Sequence, residues 1–137
     1  MPLGAFRFLD VPSHRDPRGL LGFVEGSRDI PFAIRRVYYI CQVPPGTERG
    51  GHAHRRLEQL FIPLAGSFRM RLDDGETQHD LLLDSPTRAL HLSPILWREL
   101  YDFSPGAACL ILASEPYDEA EYIRDHETFL AATRASR

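Results

Sequence analysis

The strongest constraint on the fold of this chain is a series of short segments in which apolar and polar residues alternate, separated by turns rich in glycine and proline. Residues 67–72 alternate strictly, and Asp74 and Gly75 follow before the alternation resumes at residue 77. An Asp-Gly step supplies the positive φ of a tight turn, so this region predicts a β-hairpin. The same pattern predicts strands at about residues 6–12, 20–25, 34–43, 57–64, 67–73, 77–83, 88–93 and 107–113.

The pattern changes after Pro116. Asp118 is a suitable helix N-cap, Glu121 has the spacing of a capping box, and an apolar stripe at helical spacing follows at Tyr122, Ile123, Phe129 and Leu130. We therefore predict one short C-terminal helix. Eight short strands and one helix in 137 residues predict a single all-β domain, residues 1–137, built as an antiparallel barrel or sandwich with room inside for one ligand.

The charge and the residue usage exclude several classes of function. The chain has 16 basic and 19 acidic residues, so no nucleic-acid partner is expected. Every basic residue is arginine, which excludes Schiff-base chemistry on a lysine. No stretch approaches the roughly 20 apolar residues of a membrane span. Cys41 and Cys109 lie in apolar runs typical of reduced, buried thiols. The sequence therefore predicts a cytoplasmic protein with no membrane partner.

The densest set of chemically active residues lies between Pro44 and Gln59. His52 and His54 are two residues apart, and side chains at that spacing on a strand project from the same face. Both imidazoles can therefore converge on one metal ion or one substrate. The alternative is a pair of polar strand residues without a function.

The string Gly46-x5-His52-x-His54-x3-Glu58 resembles the first sequence motif of the cupins, small β-barrels in which these side chains commonly bind a metal. Cupins supply a further histidine from a second motif, and the matching residues 90–99 lack it. Arg98 cannot replace it, because a guanidinium donates hydrogen bonds and has no free acceptor. A metal is therefore not expected. Without one, imidazoles with a pKa near about 6.5 are suited to acid-base chemistry at neutral pH.

Several ordered motifs are similar to those of the sugar-nucleotide 3,4-ketoisomerases, from about residue 8 to residue 130. The motifs lie at residues 16–21, 30–40, 49–54, 72–75, 97–104, 112–114 and 117–124. The resemblance implies a homodimeric jelly-roll cupin that uses no metal or other cofactor. It implies a dTDP-linked 4-keto-6-deoxyhexose as the ligand, and migration of the ketone of dTDP-4-keto-6-deoxyglucose from C4 to C3.

The resemblance also implies roles for individual residues. His52 is the candidate base at carbon and His54 the candidate proton shuttle between the sugar oxygens, although the two roles can be exchanged. Candidate substrate-binding residues are Arg49, which could bind an oxyanion or a phosphate, together with Arg36, Tyr38, Arg18 and Trp97. For each of these the alternative is a solvated arginine or an aromatic residue packed in the core.

Two other functions remain open from the sequence: a metal-dependent cupin enzyme, and a sugar-binding cupin without catalytic activity. The configuration of the product at C4, gluco or galacto, is open as well. The residue after Trp97 can be histidine in relatives and is Arg98 here. A changed acid near C4 could alter the face of the sugar that is protonated.

Overall fold

A computed structural model describes residues 1–136. Its strands are β1 (Phe6–Asp10), β2 (Ser13–Asp16), β3 (Gly19–Gly22), β4 (Arg36–Cys41), β5 (Arg49–His54), β6 (Gln59–Ala65), β7 (Phe68–Asp73), β8 (Gln78–Leu83), β9 (Arg88–Leu92), β10 (Trp97–Tyr101), β11 (Ala108–Ala113) and β12 (Tyr122–Ile123). A 3-10 turn covers Glu119–Glu121, and the one α-helix of the described residues, α1, covers His126–Ala135. The predicted all-β class with one short C-terminal helix is confirmed.

The strands form two five-stranded antiparallel sheets. The first sheet has the order β1-β9-β6-β11-β4 and the second the order β12-β5-β10-β7-β8. β2 and β3 pair with each other as a separate hairpin. Because most neighbours in both sheets are far apart in sequence, each sheet collects strands from the whole chain, as in the predicted jelly roll.

The main core lies between the two sheets. On β7 the alternation predicted from the sequence buries Phe68, Met70 and Leu72 completely, and these side chains share one apolar cluster with Leu92 of β9 and Ile111 of β11. β7 also pairs with β8 as the predicted hairpin. Burial of one face of each strand therefore fixes the register of this part of the molecule.

Smaller apolar clusters cover the outer faces of the sheets. Ile30 and Phe32 pack with Leu60 and other residues of the first sheet. Phe129 of α1 packs with Ala53 on the second sheet. In the described part of the chain, no helix is long and apolar enough to cross a membrane.

The predicted start of the C-terminal helix was wrong. Asp118 accepts a hydrogen bond from the Ala120 amide, but it caps only the short 3-10 turn. Tyr122 and Ile123 form β12, which pairs with β5, and Asp125 is the N-cap of α1. The edge of β5 offers backbone hydrogen bonds to this segment, and strand pairing prevails over the local helical pattern. β2, β5, β10 and β12 were not among the strand ranges predicted, although the histidine spacing placed His52 and His54 on a strand.

Candidate active site

A cavity of about 470 Å³ opens between the two sheets. It is lined by side chains from five strands and the adjoining chain, among them Tyr38, Arg49, His52, Gln59, Arg98 and Tyr122. His54 lies directly behind His52, with 4.9 Å between the ring centroids, and is fully buried. The site is therefore built where β4, β5, β6, β10 and β12 approach each other.

A bulge in β5 directs its side chains into this cavity. His52 is opposite Arg98 and Arg49 is opposite Leu100, while the register shifts between Arg98 and Glu99. Gly50 has a φ of 93°, and a Cβ atom there would lie 2.8 Å from the carbonyl oxygen of Arg98. The bulge adds a residue to β5, so Arg49 reaches the same face as His52.

The two histidines and Tyr122 form one aromatic group. The Tyr122 ring centroid lies 5.0 Å from that of His52 and 4.5 Å from that of His54. Neither ring nitrogen of His54 has a hydrogen-bond partner among the described residues. A buried imidazole without partners suggests a site that a ligand completes, since buried polar atoms are nearly always paired.

Both imidazoles are neutral at pH 7. Burial, reinforced by the positive charge of Arg98, lowers the pKa of His52 to about 3. The same two causes, in the same order, lower the pKa of His54 still further. The sequence predicted imidazoles with an ordinary pKa of about 6.5. The structure changes this expectation, because desolvation and a buried cation both disfavour the imidazolium form.

Arg98 places a fixed positive charge in the wall of the cavity. Its side chain is 1% exposed and donates two hydrogen bonds, of 3.1 and 2.9 Å, to the carbonyl oxygen of Leu96. A third goes to Oε1 of Gln59. Burial lowers the pKa of Arg98 to about 10, so the group stays protonated at pH 7. No carboxylate among the described residues pairs with it, and this charge is available to an anion in the cavity.

Tyr38 and Gln59 extend the polar wall. Burial raises the pKa of Tyr38 to about 12, so its phenol remains protonated at neutral pH. Nε2 of Gln59 donates a hydrogen bond to the Tyr38 hydroxyl oxygen. The guanidinium of Arg98, the amide of Gln59 and the phenol of Tyr38 therefore lie next to one another along the cavity wall.

Further arginines lie at or near the mouth of the cavity: Arg49 and Arg124 line it, whereas Arg36 does not line it but adjoins the lining residue Tyr38. The guanidinium carbon of Arg124 lies 4.4 Å from the ring centroid of Tyr122. Nε and Nη2 of Arg124 donate hydrogen bonds of 2.6 and 3.1 Å to the carboxylate of Glu119. The guanidinium carbon of Arg36 lies 5.1 Å from the ring centroid of Tyr38. Together with Arg49, these groups give the mouth the chemistry of an anion-binding site.

Residues 5–134 match the protein family described as FdtA, "WxcM-like, C-terminal". The match covers nearly the whole chain. The chain belongs to the FdtA family.

Named relatives share one activity. A TDP-4-oxo-6-deoxy-α-D-glucose-3,4-oxoisomerase of Aneurinibacillus thermoaerophilus is 45% identical over 114 residues, which are 83% of this chain and 82% of that protein. The sugar 3,4-ketoisomerase QdtA of Thermoanaerobacterium thermosaccharolyticum, solved with TDP, matches with a TM-score of 0.93 and 38% identity over 95% of each chain. A histidine-to-asparagine mutant of QdtA, solved with TDP-4-keto-6-deoxyglucose, gives 0.93 and 37% over 95% of this chain and 94% of that one. The predicted family resemblance is confirmed.

Three of the predicted substrate contacts, Arg36, Trp97 and Arg18, do not line the cavity of this FdtA-family chain. Trp97 precedes Arg98 on β10, and strand alternation directs it to the outer face, where its ring centroid lies 5.8 Å from that of Phe129. Arg18 lies at the turn of the β2–β3 hairpin and pairs with Asp16 at 2.7 Å. Trp97 packs against the helix, and Arg18 lies on the surface of the chain.

The cupin-like ligand set is not assembled. Glu58 lies 3.1 Å from Nε2 of the buried His91, whereas the next residue, Gln59, faces His52 in the cavity. Among residues 1–136, no group of three or more histidine, cysteine, aspartate or glutamate side chains is arranged to hold a metal ion. The strand alternation of β6 thus places an amide where the motif suggested a carboxylate.

Sequence reasoning missed Gln59 and Tyr122 as site residues. Gln59 could have been found from its position, because it begins the strand that follows the histidine motif. Tyr122 lies in the family motif at residues 117–124, but it was assigned to the predicted helix, so its approach to the histidines was not predicted. Arg98 was considered only as a residue unable to bind metal and as a possible influence on product configuration.

Proposed function

We propose that this protein is a 3,4-ketoisomerase that converts TDP-4-keto-6-deoxyglucose into the TDP-3-keto-6-deoxyhexose. The observation that carries the proposal is the pair of neutral, buried histidines next to a buried arginine without a carboxylate partner. Neutral imidazoles can accept a proton, and a fixed cation stabilises the enediolate that results. The activity named for the relatives needs both properties.

The reaction requires only proton transfers. One histidine, which we assign as His52, removes the proton from C3, and the electron pair of that bond forms the C3=C4 double bond while the ketone π electrons move to O4. O4 then gains a proton and the O3 hydroxyl loses one, which we assign to His54. The C3 ketone forms as the C3=C4 π pair takes a proton at C4. The reaction is balanced without a redox cofactor or a second substrate.

The nucleotide end of the substrate needs cationic partners for its diphosphate. Arg49 lines the cavity next to His52, and Arg36 lies over Tyr38 within the electrostatic reach of His54. We assign the diphosphate to these arginines, since guanidinium groups bind phosphate oxygens in pairs. No glycine-rich phosphate loop occurs in the sequence.

We also propose that the protein is a homodimer. The β2–β3 hairpin has no strand neighbour among the described residues, and β4 is an edge strand of the first sheet. Between the hairpin and this sheet lies an apolar cavity of about 690 Å³, and two residues that line it, Phe23 and Val37, are 48% and 57% exposed. A two-fold arrangement in which each hairpin packs on the partner's β4 would cover both edges and this apolar surface.

The substrate contact predicted for Arg18 depends on this dimer. Within one chain Arg18 does not line the cavity, but its hairpin is the element that we expect to lie on the partner. We further assign the protein to the cytoplasm, because Cys41 and Cys109 are both free thiols; Cys109 is buried as predicted, whereas Cys41 is exposed.

The alternative that this protein is a metal-dependent cupin enzyme is tested by chelation. The protein is purified without a histidine tag, treated exhaustively with EDTA and assayed. We expect full activity, since Glu58 is directed away from the histidine pair. Loss of activity and its restoration by one divalent ion would replace the proposal with the metal-dependent alternative.

The main test uses enzymatically made TDP-4-keto-6-deoxyglucose in deuterium oxide. NMR should show a 3-keto product, with deuterium at C4 of the product and exchange at C3 of the remaining substrate. The configuration at C4, gluco or galacto, is read from the same spectra. Binding of TDP without exchange or product would favour a sugar-binding protein instead.

A further inference from the structure

Two buried polar side chains, Arg98 and Gln59, and the partly buried Tyr38 form a hydrogen-bond chain across the wall of the cavity. Arg98 donates from Nη1 to Oε1 of Gln59, and Nε2 of Gln59 donates to the hydroxyl oxygen of Tyr38. The three residues belong to β10, β6 and β4, which are far apart in the sequence. Gln59 is 1% exposed and is the central member of the chain.

The chemistry of Arg98 fixes the orientation of the Gln59 amide. A guanidinium has five donors and no acceptor, so only the amide oxygen of Gln59 can face it. A flipped amide would put two sets of N–H donors against each other. The NH2 group of Gln59 must therefore face Tyr38. The donor groups of Arg98 fix this orientation, so it does not have to be inferred from the similar positions of the amide oxygen and the amide nitrogen.

The same reasoning fixes the hydroxyl of Tyr38. Its oxygen accepts from Gln59, so its own hydrogen cannot point toward Gln59. No other described residue accepts a hydrogen bond from this hydroxyl, and Tyr38 lines the cavity that contains His52. Because burial keeps the phenol protonated, the hydroxyl is a donor that lacks a partner within the protein.

We propose that Gln59 is a positioning residue that, held by Arg98, presents the O–H of Tyr38 to the sugar oxygen that becomes negative in the enediolate. The inference rests on the proposed ketoisomerase function and adds a directed donor to it. Tyr38 and Arg98 then act on the same intermediate, one as a neutral donor and the other as a cation. Donors that are oriented before the reaction need no reorganisation when the charge develops.

The first test is Gln59→Glu. A carboxylate still accepts from Arg98, so the variant should fold, but it also accepts from Tyr38 and turns that hydroxyl away from the substrate. We expect kcat to fall on the order of 10- to 100-fold, which does not exceed the loss expected when an oxyanion-binding donor is removed outright. The affinity for TDP, measured by calorimetry, should change less than about twofold.

Glu58→Gln is the matched control. It makes the reverse change at the neighbouring residue, on the other face of β6, where it can still bond to His91. Its kcat should equal that of the unmodified protein. An unchanged kcat in Gln59→Glu, or an equal loss in both variants, would overturn the inference.

The second test combines Gln59→Met with Tyr38→Phe. Methionine has a similar length but cannot orient the hydroxyl, so kcat should fall in the presence of Tyr38. If Gln59 acts through Tyr38, adding Gln59→Met to the Tyr38→Phe protein should cause no further decrease in kcat. Independent, multiplicative losses would instead show a general structural role and refute the proposal.

These results separate two kinds of failure. If the unmodified protein produces no 3-keto sugar from TDP-4-keto-6-deoxyglucose, the proposed function fails. If it is active but the Gln59 variants keep its kcat, or if their losses do not depend on Tyr38, only the role of Gln59 fails.

Discussion

His54 is a titratable residue that the fold removes from water. It is fully buried between His52 and Tyr122, and neither ring nitrogen has a hydrogen-bond partner in the described chain. Desolvation disfavours its charged form, and Arg98 adds electrostatic repulsion. The neutral form of this imidazole is therefore a property of the fold, and it is the form that the proposed proton exchange with a substrate oxygen requires.

Replacement of the histidines should separate their roles. We expect His52→Asn and His54→Asn each to keep the fold and TDP binding but to lose turnover by roughly 100-fold or more, the scale of general acid-base catalysis. With His52 as the carbon base, His54→Asn should still exchange deuterium into C3, whereas His52→Asn should not. NMR of the substrate measures this exchange.

The opposite exchange pattern would reverse the assignment of the two histidines. Near-normal turnover in both variants would remove the pair from the mechanism and favour a binding protein.

The pH dependence of kcat/KM should reflect the low pKa of His52. Because that pKa is about 3, the base is already unprotonated at neutral pH and should remain so on acidification. We expect kcat/KM to stay nearly constant from about pH 8 to about pH 5. Initial rates at low substrate concentration measure it. A tenfold decrease per pH unit below about pH 6.5 would indicate an imidazole with its ordinary pKa.

At the scale of elements, the β5 bulge and the turn before β10 hold the site together. Ile95 has a φ of 60°, which is unfavourable for a β-branched residue. Its amide donates to the carbonyl oxygen of His54 at 2.8 Å, and the next carbonyl, that of Leu96, accepts from Arg98. One turn therefore connects the backbone of a candidate catalytic residue with the buried cation.

The bulge leads to a prediction for Gly50→Ala. The new methyl group would lie 2.8 Å from the Arg98 carbonyl oxygen, at a φ of 93°. We expect the free energy of unfolding to fall by more than the ~1–2 kcal/mol of a left-handed alanine, together with a loss of kcat as Arg98 shifts. Chemical denaturation and steady-state assays measure both.

Gly46→Ala is the control for this variant. Gly46 has a φ of 79° with no atom within 4 Å of an added Cβ, so it reports the backbone strain alone. Equal destabilisation in the two variants would show that the close contact between residue 50 and the Arg98 carbonyl oxygen on β10 adds nothing to the backbone strain.

At the scale of the whole molecule, the buried neutral histidines couple stability to pH. Below a pH of about 6.5 the unfolded chain binds protons on its histidines, whereas folded His54 does not, because its pKa is lowered. The free energy of unfolding should therefore decrease on acidification, by up to ~1.4 kcal/mol per pH unit for each such group. His54→Asn should show a shallower slope between about pH 6 and 4, measured by urea denaturation. Identical slopes would mean that His54 titrates normally in the folded state.

The proposed dimer is also tested at this scale. Light scattering at micromolar concentration should give twice the chain mass. Val37 is exposed on β4, the proposed contact strand, so Val37→Glu should produce a monomer. Leu82→Glu, an equivalent change at an exposed residue of β8 in the other sheet, should remain dimeric. A monomeric unmodified protein would contradict the proposal.

The sequence by itself determined those features that depend on neighbours along the chain. Strand alternation predicted the β7–β8 hairpin and the common face of His52 and His54, because side-chain direction along a strand repeats every two residues. The ordered motifs predicted the family. The absence of the second cupin histidine was also visible in the sequence.

Only the tertiary structure decided the features that depend on residues distant in sequence. Tyr122 joins the histidines because the edge of β5 pairs with a segment whose local pattern favoured a helix. Gln59 meets Arg98 because β6 and β10 belong to facing sheets. The low pKa of His52 arises from burial and from the charge of Arg98 acting through space. Desolvation and through-space charge depend on three-dimensional proximity, and no local pattern in the sequence encodes them.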